Sequence, residues 1–294
     1  MKSWMVDKLL SVARETYTEI EKELGCSVYK EQIIYRALKD IKAENQWDER
    51  SATDGYAPFM GEESPAKEVQ TLLEKPFSWG AVHGAGQVDL PTLLTALKKF
   101  FISRKALRNE DFDYDALELK LSGEAQYKNV SAKQVVFCEG HRGRFNPWFG
   151  HLPFVVSKGE MLEIAMEKTV DFPIVKHRAY LAPLADNKLW VGATYEWKDL
   201  SEGVSEKGKT LLIKNIDASI SGKYRIVAEH AAIRPTVKDR RPFLGTDSKY
   251  SCLHIFNGLG TKGTSLGPYW GRHFVGYLLG EHGLDEQVDI GRFL

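Results

Sequence analysis

Apolar residues recur at helical spacing near the start of the chain. Met5, Leu9, Val12, Ala13, Ile20 and Leu24 share one face, and charged Lys8, Glu15, Glu19 and Lys22 lie elsewhere on the surface. Gly25 follows, the residue type that most readily takes the left-handed conformation closing a helix, so a long amphipathic helix is expected to end there. Val28 to Leu38 reads as a strand centred on Ile33-Ile34-Tyr35, and Asp40 to Arg50 as a short exposed helix. Ser51 to Ser64 is rich in glycine, proline and acidic residues and reads as a surface loop. Trp79 to Gln87 carries three glycines around His83. Asp89, a good N-cap, and Pro91, a good early-turn residue, then start a helix running to about Ala106.

Farther on, Ala116 to Leu121 and Gln126 to Val130 read as a hairpin around Gly123-Glu124, and Gln134 to Cys138 as an apolar strand ending in Glu139-Gly140. Met161 to Glu167 begins a second sheet system. In it Val175 to Pro183 pairs with Leu189 to Glu196 across the turn Asp186-Asn187-Lys188. Ser201 to Ser219 reads as a helix, and Tyr224 to Val237 as a long strand interrupted at Arg234-Pro235. Pro235 has no backbone donor, so an edge, a bend or a strand end is expected there. Finally Leu253-His254-Ile255-Phe256 breaks into Asn257-Gly258-Leu259-Gly260-Thr261-Lys262-Gly263. Trp270, Phe274, Val275, Leu278 and Leu279 then return to helical spacing.

This last strand, glycine turn and helix is the stretch with the most chemistry in it. Glycines let the backbone take positive φ and approach a bound group, and a helix start offers unpaired N–H groups with partial positive charge. The turn suits an anion or an electron-rich ring. Gly258 to Gly263 matches G-x-G-x-x-G, but the dinucleotide fold requires a second parallel strand behind the helix, and Val288-Asp289-Ile290 is a poor candidate for one. Gly263-Thr264-Ser265-Leu266-Gly267 matches the nucleophile elbow G-x-S-x-G. Ser265 nevertheless lies well past the strand end, and no histidine follows Asp285 or Asp289 to complete the triad order.

Composition narrows the classes further. The chain has 294 residues, 40 basic and 40 acidic, and a hydrophobic fraction of 43%, enough for a large core in two domains or one elaborate one. Balanced charge without a basic patch argues against a dedicated nucleic-acid binder. The N-terminal sequence is charged and amphipathic, and no uncharged stretch reaches membrane-spanning length, so a cytoplasmic protein is expected. Cys26, Cys138 and Cys252 are odd in number and widely spaced, which fits reduced, buried thiols. The eight histidines form no ligand cluster, so no metal is expected.

Four stretches in this order resemble the flavoenzymes related to D-amino-acid oxidase and glycine oxidase. They are Gly86-Gln87-Val88-Asp89-Leu90-Pro91, then Val135 to Gly140 followed by Leu152-Pro153, then Tyr180-Leu181-Ala182-Pro183 with Leu189 to Thr194. The fourth runs from Ile233-Arg234-Pro235 through Arg241-Pro242 to the glycine turn. The resemblance covers nearly the whole chain. It implies an α/β fold in which an incomplete, Rossmann-like FAD-binding domain is interleaved with a mixed β-sheet substrate domain. In this division 1–25 is a helix, 26–76 and 151–244 form the substrate domain, and 77–150 and 245–294 form the FAD-binding domain. Family members open with a strand, G-x-G-x-x-G and helix that hold the FAD pyrophosphate, whereas here only Met1 stands ahead of Lys2-Ser3-Trp4. The expectation is a member without that first segment, holding FAD weakly by itself.

The implied reaction is oxidation of a small-molecule amine or amino acid by hydride transfer to FAD. The resemblance assigns Arg234 to the substrate carboxylate, with Tyr180 adding a phenolic hydrogen bond and His83 a candidate lining residue, although a tyrosine on a strand commonly packs and a loop histidine is commonly exposed. Gly258, Gly260, Thr261, Lys262 and Gly263 would line the flavin, with Gly86 and Gly140 allowing close approach. Glycine oxidases carry an arginine about where Thr261 stands, which leaves the substrate class open. Two other readings also stay open: a flavoprotein modifying the wobble uridine of tRNA, and a non-catalytic fragment of the fold. Neither the electron acceptor nor the oligomeric state is legible.

Overall fold

A computed structural model of the chain describes residues 4–120 and 123–293. Leu121, the expected end of the first hairpin strand, and Met1 to Ser3 lie outside the described residues. Along the chain run α1 (Val6–Leu24), β1 (Tyr29–Leu38), α2 (Ile41–Ser51), β2 (Met60–Gly61), α3 (Lys67–Gln70), β3 (Ser78–Val88) and α4 (Leu90–Ser103). Next come the short strands β4 (Leu117–Leu119), β5 (Ala125–Tyr127), β6 (Val130–Ala132) and β7 (Val135–Phe137). They are followed by β8 (Ser157–Met166), β9 (Ile174–Lys176), β10 (Tyr180–Leu184), β11 (Lys188–Gly192), α5 (Glu206–Asp217) and β12 (Tyr224–Arg234). The chain closes with β13 (Phe243–Thr246), β14 (Leu253–Asn257) and α6 (Gly263–Leu278). Among the described residues no helix is long and apolar enough to cross a membrane.

These elements form two compact units. The first comprises Tyr29–Val88 and Lys158–Ala232 and holds an eight-stranded mixed sheet in the order β12-β8-β11-β10-β9-β1-β3-β2. Alternation along each strand puts Leu162, Ile164, Val175, Leu181, Leu189 and Val191 on one face, all essentially buried against Leu212 and Ile216 of α5. An ion pair is buried in the same unit: Lys158 and Glu160 are 1% and 2% exposed, with Nζ 3.5 Å from Oε1. The Glu160 carboxylate also accepts from the Ser205 N–H at 2.7 Å and the Thr194 hydroxyl at 2.8 Å. Ser205 in turn caps α5 by accepting from the Gly208 N–H. Burial pushes the Glu160 carboxyl up, but the bonds from Ser205 and Thr194 and the charge of Lys158 outweigh it and hold it below the usual carboxylate range. Gly208 has to be glycine, because a Cβ there would sit 1.8 Å from a Glu160 oxygen.

The second unit comprises Met5–Val28, Asp89–Ser157 and Ile233–Leu294. It holds two three-stranded sheets, β13-β14-β7 and β4-β5-β6, around a core that includes Phe137, Phe149, Phe243, Leu253 and Ile255. Helix α6 packs on α1, and one contact between them follows directly from sequence. Pro268 stands inside α6 and has no N–H for the carbonyl four residues back, that of Thr264. The hydroxyl of Tyr17, buried on α1, donates to that orphaned carbonyl at 2.8 Å. Burial pushes the Tyr17 hydroxyl up to about 12, so it stays a donor across the neutral range.

Most expected elements form, with instructive differences. Gly25 closes α1 at φ 63°, and Asp89 caps α4 by accepting from the Thr92 N–H at 3.1 Å. The expected strand from Val175 to Pro183 is instead two strands, β9 and β10. His177 and Arg178 turn the chain, and the two strands pair antiparallel with each other. The helix expected from Ser201 begins only at Glu206, because Ser205 provides the cap. Trp79 to Gln87 is a strand despite its glycines, and it bulges at His83-Gly84, where Gly84 takes φ 69°. Of the three thiols expected to be buried only Cys252 is. Cys138 is exposed, since Phe137 beside it takes the inward position at the end of β7.

Two stability outcomes follow. Tyr17→Phe should lower the free energy of unfolding by about 1–2 kcal/mol in urea titrations, because it leaves the Thr264 carbonyl without a donor. No loss would mean that another donor takes its place. Glu160→Gln should cost about 3 kcal/mol at pH 7. A carboxyl whose folded pKa is depressed stabilises above its unfolded value of about 4.3 and loses that contribution as pH falls through the folded value. The gap between wild type and Glu160→Gln should therefore close in titrations below about pH 4; a gap of constant size would rule out the carboxylate charge as its source.

Candidate active site

In the second unit the parallel strands β7 and β14 run side by side, with Val135, Val136 and Phe137 opposite Leu253, His254 and Ile255. Their carboxyl ends therefore emerge together, the place where open parallel sheets bind ligands. The link between them is Asn257, 4% exposed. Its Nδ2 donates to the Gly140 carbonyl at 2.9 Å, and its Oδ1 accepts from the Gly258 N–H at 2.7 Å. Gly143 leaves room for this carboxamide, since a Cβ there would lie 2.6 Å from Nδ2. Glu139, next to Gly140, is pinned in turn. Tyr114 donates to one carboxylate oxygen and Asn146 Nδ2 to the other, the latter at 2.9 Å. Burial, and then the Glu139 acceptor, push the Tyr114 hydroxyl up to about 12.

The glycine turn then bends back onto the Arg-Pro step. Gly260 donates its N–H to the Pro235 carbonyl at 3.2 Å, and β12 ends at Arg234, so Pro235 marks a strand end as its missing donor requires. Gly258 and Gly260 take φ 76° and 58°. A Cβ on Gly258 would lie 2.9 Å from Val237 Cγ1 and 3.2 Å from the Phe243 backbone nitrogen, and one on Gly260 would lie 3.1 Å from Thr236 Cγ2. These glycines therefore serve close packing on the segment after Arg234, and their bare sides face protein. Thr261 and Lys262 stand exposed at the tip, and Gly263 begins α6, which has no side chain capping its N-terminus. Ser265 sits inside the first helical turn with its hydroxyl on the Lys262 carbonyl at 3.2 Å, away from any elbow.

Tyr180 and His83 belong to the first unit. Register places Tyr180 opposite Lys176 on one side and Gly192 on the other, and Lys176 opposite Arg36. Paired residues share a face, so Arg36, Lys176 and Tyr180 form one row on the sheet face opposite the α5 core. Burial pushes the Lys176 ammonium down and Arg36 adds to this; burial also pushes the Tyr180 hydroxyl up, with Arg36 opposing. His83 lies on the other face. It lines an open depression of about 490 Å³ with Tyr35 and Phe172, and its Nε2 is 3.2 Å from a Glu63 oxygen. Gly86, also in this unit, has the Tyr29 ring where a side chain would be, 2.5 Å from an ideal Cβ. No sequence pattern sets Arg36 or Lys176 apart, and the bonds of the Asn257 carboxamide show only in the fold. An asparagine directly before a glycine at a strand end was the one available signal.

The turn passes a simple test for a bound flavin. Uncapped first-turn N–H groups favour negative charge, and a Cβ at Gly140, which takes φ 56°, would meet nothing within 4 Å. The backbone is thus open at Gly140 and uncapped at α6, while Asn257 holds the two ends together. Among the described residues no group of His, Cys, Asp or Glu is placed to hold a metal ion.

Residues 3–276 match the FAD dependent oxidoreductase (DAO) family, and the chain belongs to it. It is 25% identical over 258 residues to the glycine oxidase of Bacillus subtilis (strain 168), a match covering 79% of this chain and 64% of that one. The chain thus spans just under two thirds of the length of that relative. Iminodiacetate oxidase (IdaA) from Chelativorans sp. BNC1 has a similar structure, with a TM-score of 0.81 at 20% identity, covering 97% of this chain and 84% of the other. Glycine oxidase from Geobacillus kaustophilus superposes with a TM-score of 0.78 at 20% identity, covering 94% and 78%. The mixed α/β architecture expected from sequence is the fold of these neighbours.

Gly258→Ala should destabilise the protein by about 2–3 kcal/mol, combining the positive φ with a contact that backbone cannot relieve. Gly271→Ala, with nothing within 4 Å on the same helix-turn segment, should change little or stabilise. Equal effects in thermal unfolding would mean that the turn is not packed as described.

Proposed function

We propose that this protein oxidises an amine or amino acid with FAD. The observation that carries the reading is the Gly260 to Pro235 hydrogen bond, which sets the Arg234 step against the glycine turn in one packed assembly. The turn, Gly140 and the start of α6 hold the flavin in this reading. FAD, when bound, supplies the oxidising chemistry by accepting a hydride from the carbon beside the substrate nitrogen. The chain itself provides position and charge. Arg234 grips the substrate carboxylate with its planar guanidinium through two charge-assisted hydrogen bonds. The first-turn N–H groups of α6, with Lys262 beside them, favour negative charge in the neighbouring cofactor. The product imine leaves for hydrolysis in water. The names of the relatives, a glycine oxidase and an iminodiacetate oxidase, support a small amine substrate.

In FAD-loaded protein, Arg234→Ala should weaken productive binding of an amino acid by about 2–4 kcal/mol. That makes flavin reduction about 30- to 1,000-fold less efficient. Arg234→Lys should recover only part, because an ammonium keeps the charge without the fork. A simple amine lacking a carboxylate should be oxidised as before. Rapid-mixing measurements of flavin bleaching with both substrates decide the matter: equal loss for both makes Arg234 structural, and no loss for either removes the carboxylate assignment.

A further inference from the structure

The row on the open face of the eight-stranded sheet is unusual in its charge. Arg36 on β1 pairs with Lys176 on β9, and Lys176 with Tyr180 on β10, so two cations and a phenol stand on adjacent strands. Neighbouring strands lie about 4.8 Å apart, close enough for the two charges to repel and for one small ligand to reach both. Lys176 is half-buried with its Nζ 5.4 Å from the centre of the Tyr180 ring, and Arg36 is exposed beside it. Among the described residues neither cation has a carboxylate within ion-pair distance, whereas other cations of this unit do, Lys158 with Glu160 and Lys209 with Glu229 among them.

The flanks of the row are shaped as well. Arg36 is paired with Gly80, and the Trp47 indole fills the place of the missing side chain, within 2.3 Å of an ideal Cβ. Tyr180 is paired with Gly192, over which the Trp190 ring lies, 2.8 Å from an ideal Cβ. A strip of two cations and a hydroxyl therefore runs between two indole walls. Such a strip repels cations and gains by taking an anion: a carboxylate would relieve the repulsion, take the Arg36 fork and accept from the Tyr180 hydroxyl.

We propose that Arg36, Lys176 and Tyr180 form an anion-binding subsite for a small dicarboxylate. Two like charges on one row set the preference for a dianion, and the indoles limit its length along the row.

Isothermal titration of the full chain with malonate, with acetate as the monocarboxylate control, tests the subsite without any turnover. Wild type should bind malonate at least about tenfold more tightly than acetate. Arg36→Gln and Lys176→Gln should each abolish that preference, and Tyr180→Phe should reduce it, with thermal unfolding of all three close to wild type. Malonate binding no tighter than acetate binding, or a preference that survives both charge substitutions, overturns the proposal while leaving the oxidase reading intact. Failure of every amine to reduce the flavin, alongside a malonate preference that depends on Arg36 and Lys176, removes the oxidase reading and leaves the subsite standing.

Discussion

A single buried carboxamide holds the candidate active site together. Asn257 donates to the Gly140 carbonyl just beyond β7 and accepts from the first glycine of the turn, so it fixes two chain segments that are over a hundred residues apart in sequence. Neither bond is available to an apolar residue, and aspartate could not donate to the Gly140 carbonyl. Everything downstream inherits this alignment. Gly258 must turn left at once, Gly260 can then reach the Pro235 carbonyl, and α6 starts with its N–H groups uncapped. A buried amide left half-satisfied would cost about 1–3 kcal/mol, so the geometry here is held by hydrogen bonds that are expensive to break.

The sequence was most legible where one residue type enforces one backbone state. Gly25, Asp89 and Pro235 mark a helix end, a helix start and a strand end where the structure has them. The strand, turn and helix at 253–278 were readable for the same reason. Two other features were not legible. The turn at His177-Arg178 contains neither glycine nor proline, and the apolar alternation of Val175 and Leu181 continues across it, so two antiparallel strands read as one. Residues grouped by register were hidden as well, since Arg36, Lys176 and Tyr180 become neighbours only through pairing of distant strands.

Register also separates residues that family resemblance brings together. Tyr180 and His83 share a sheet, but the bulge at His83-Gly84 and the alternation of β3 put the histidine on the face with Tyr35 and Phe172. Gly86 likewise gives its open side to the Tyr29 ring. A glycine in a strand can thus mark close approach of a neighbouring side chain as readily as that of a ligand, and only the pairing tells which.

The contact between Tyr17 and Thr264 bears on how the chain acquires its shape during synthesis. It joins residues 247 positions apart, and the unit that contains it is built from three separated stretches. Helix α1 is made well before α6 and must wait for it before its apolar face and the Tyr17 hydroxyl find their partner. At about 5–20 residues per second that interval is of the order of ten seconds or more. Until then the apolar stripe of Leu9, Ala13 and Tyr17 lacks the helix that covers it in the folded protein.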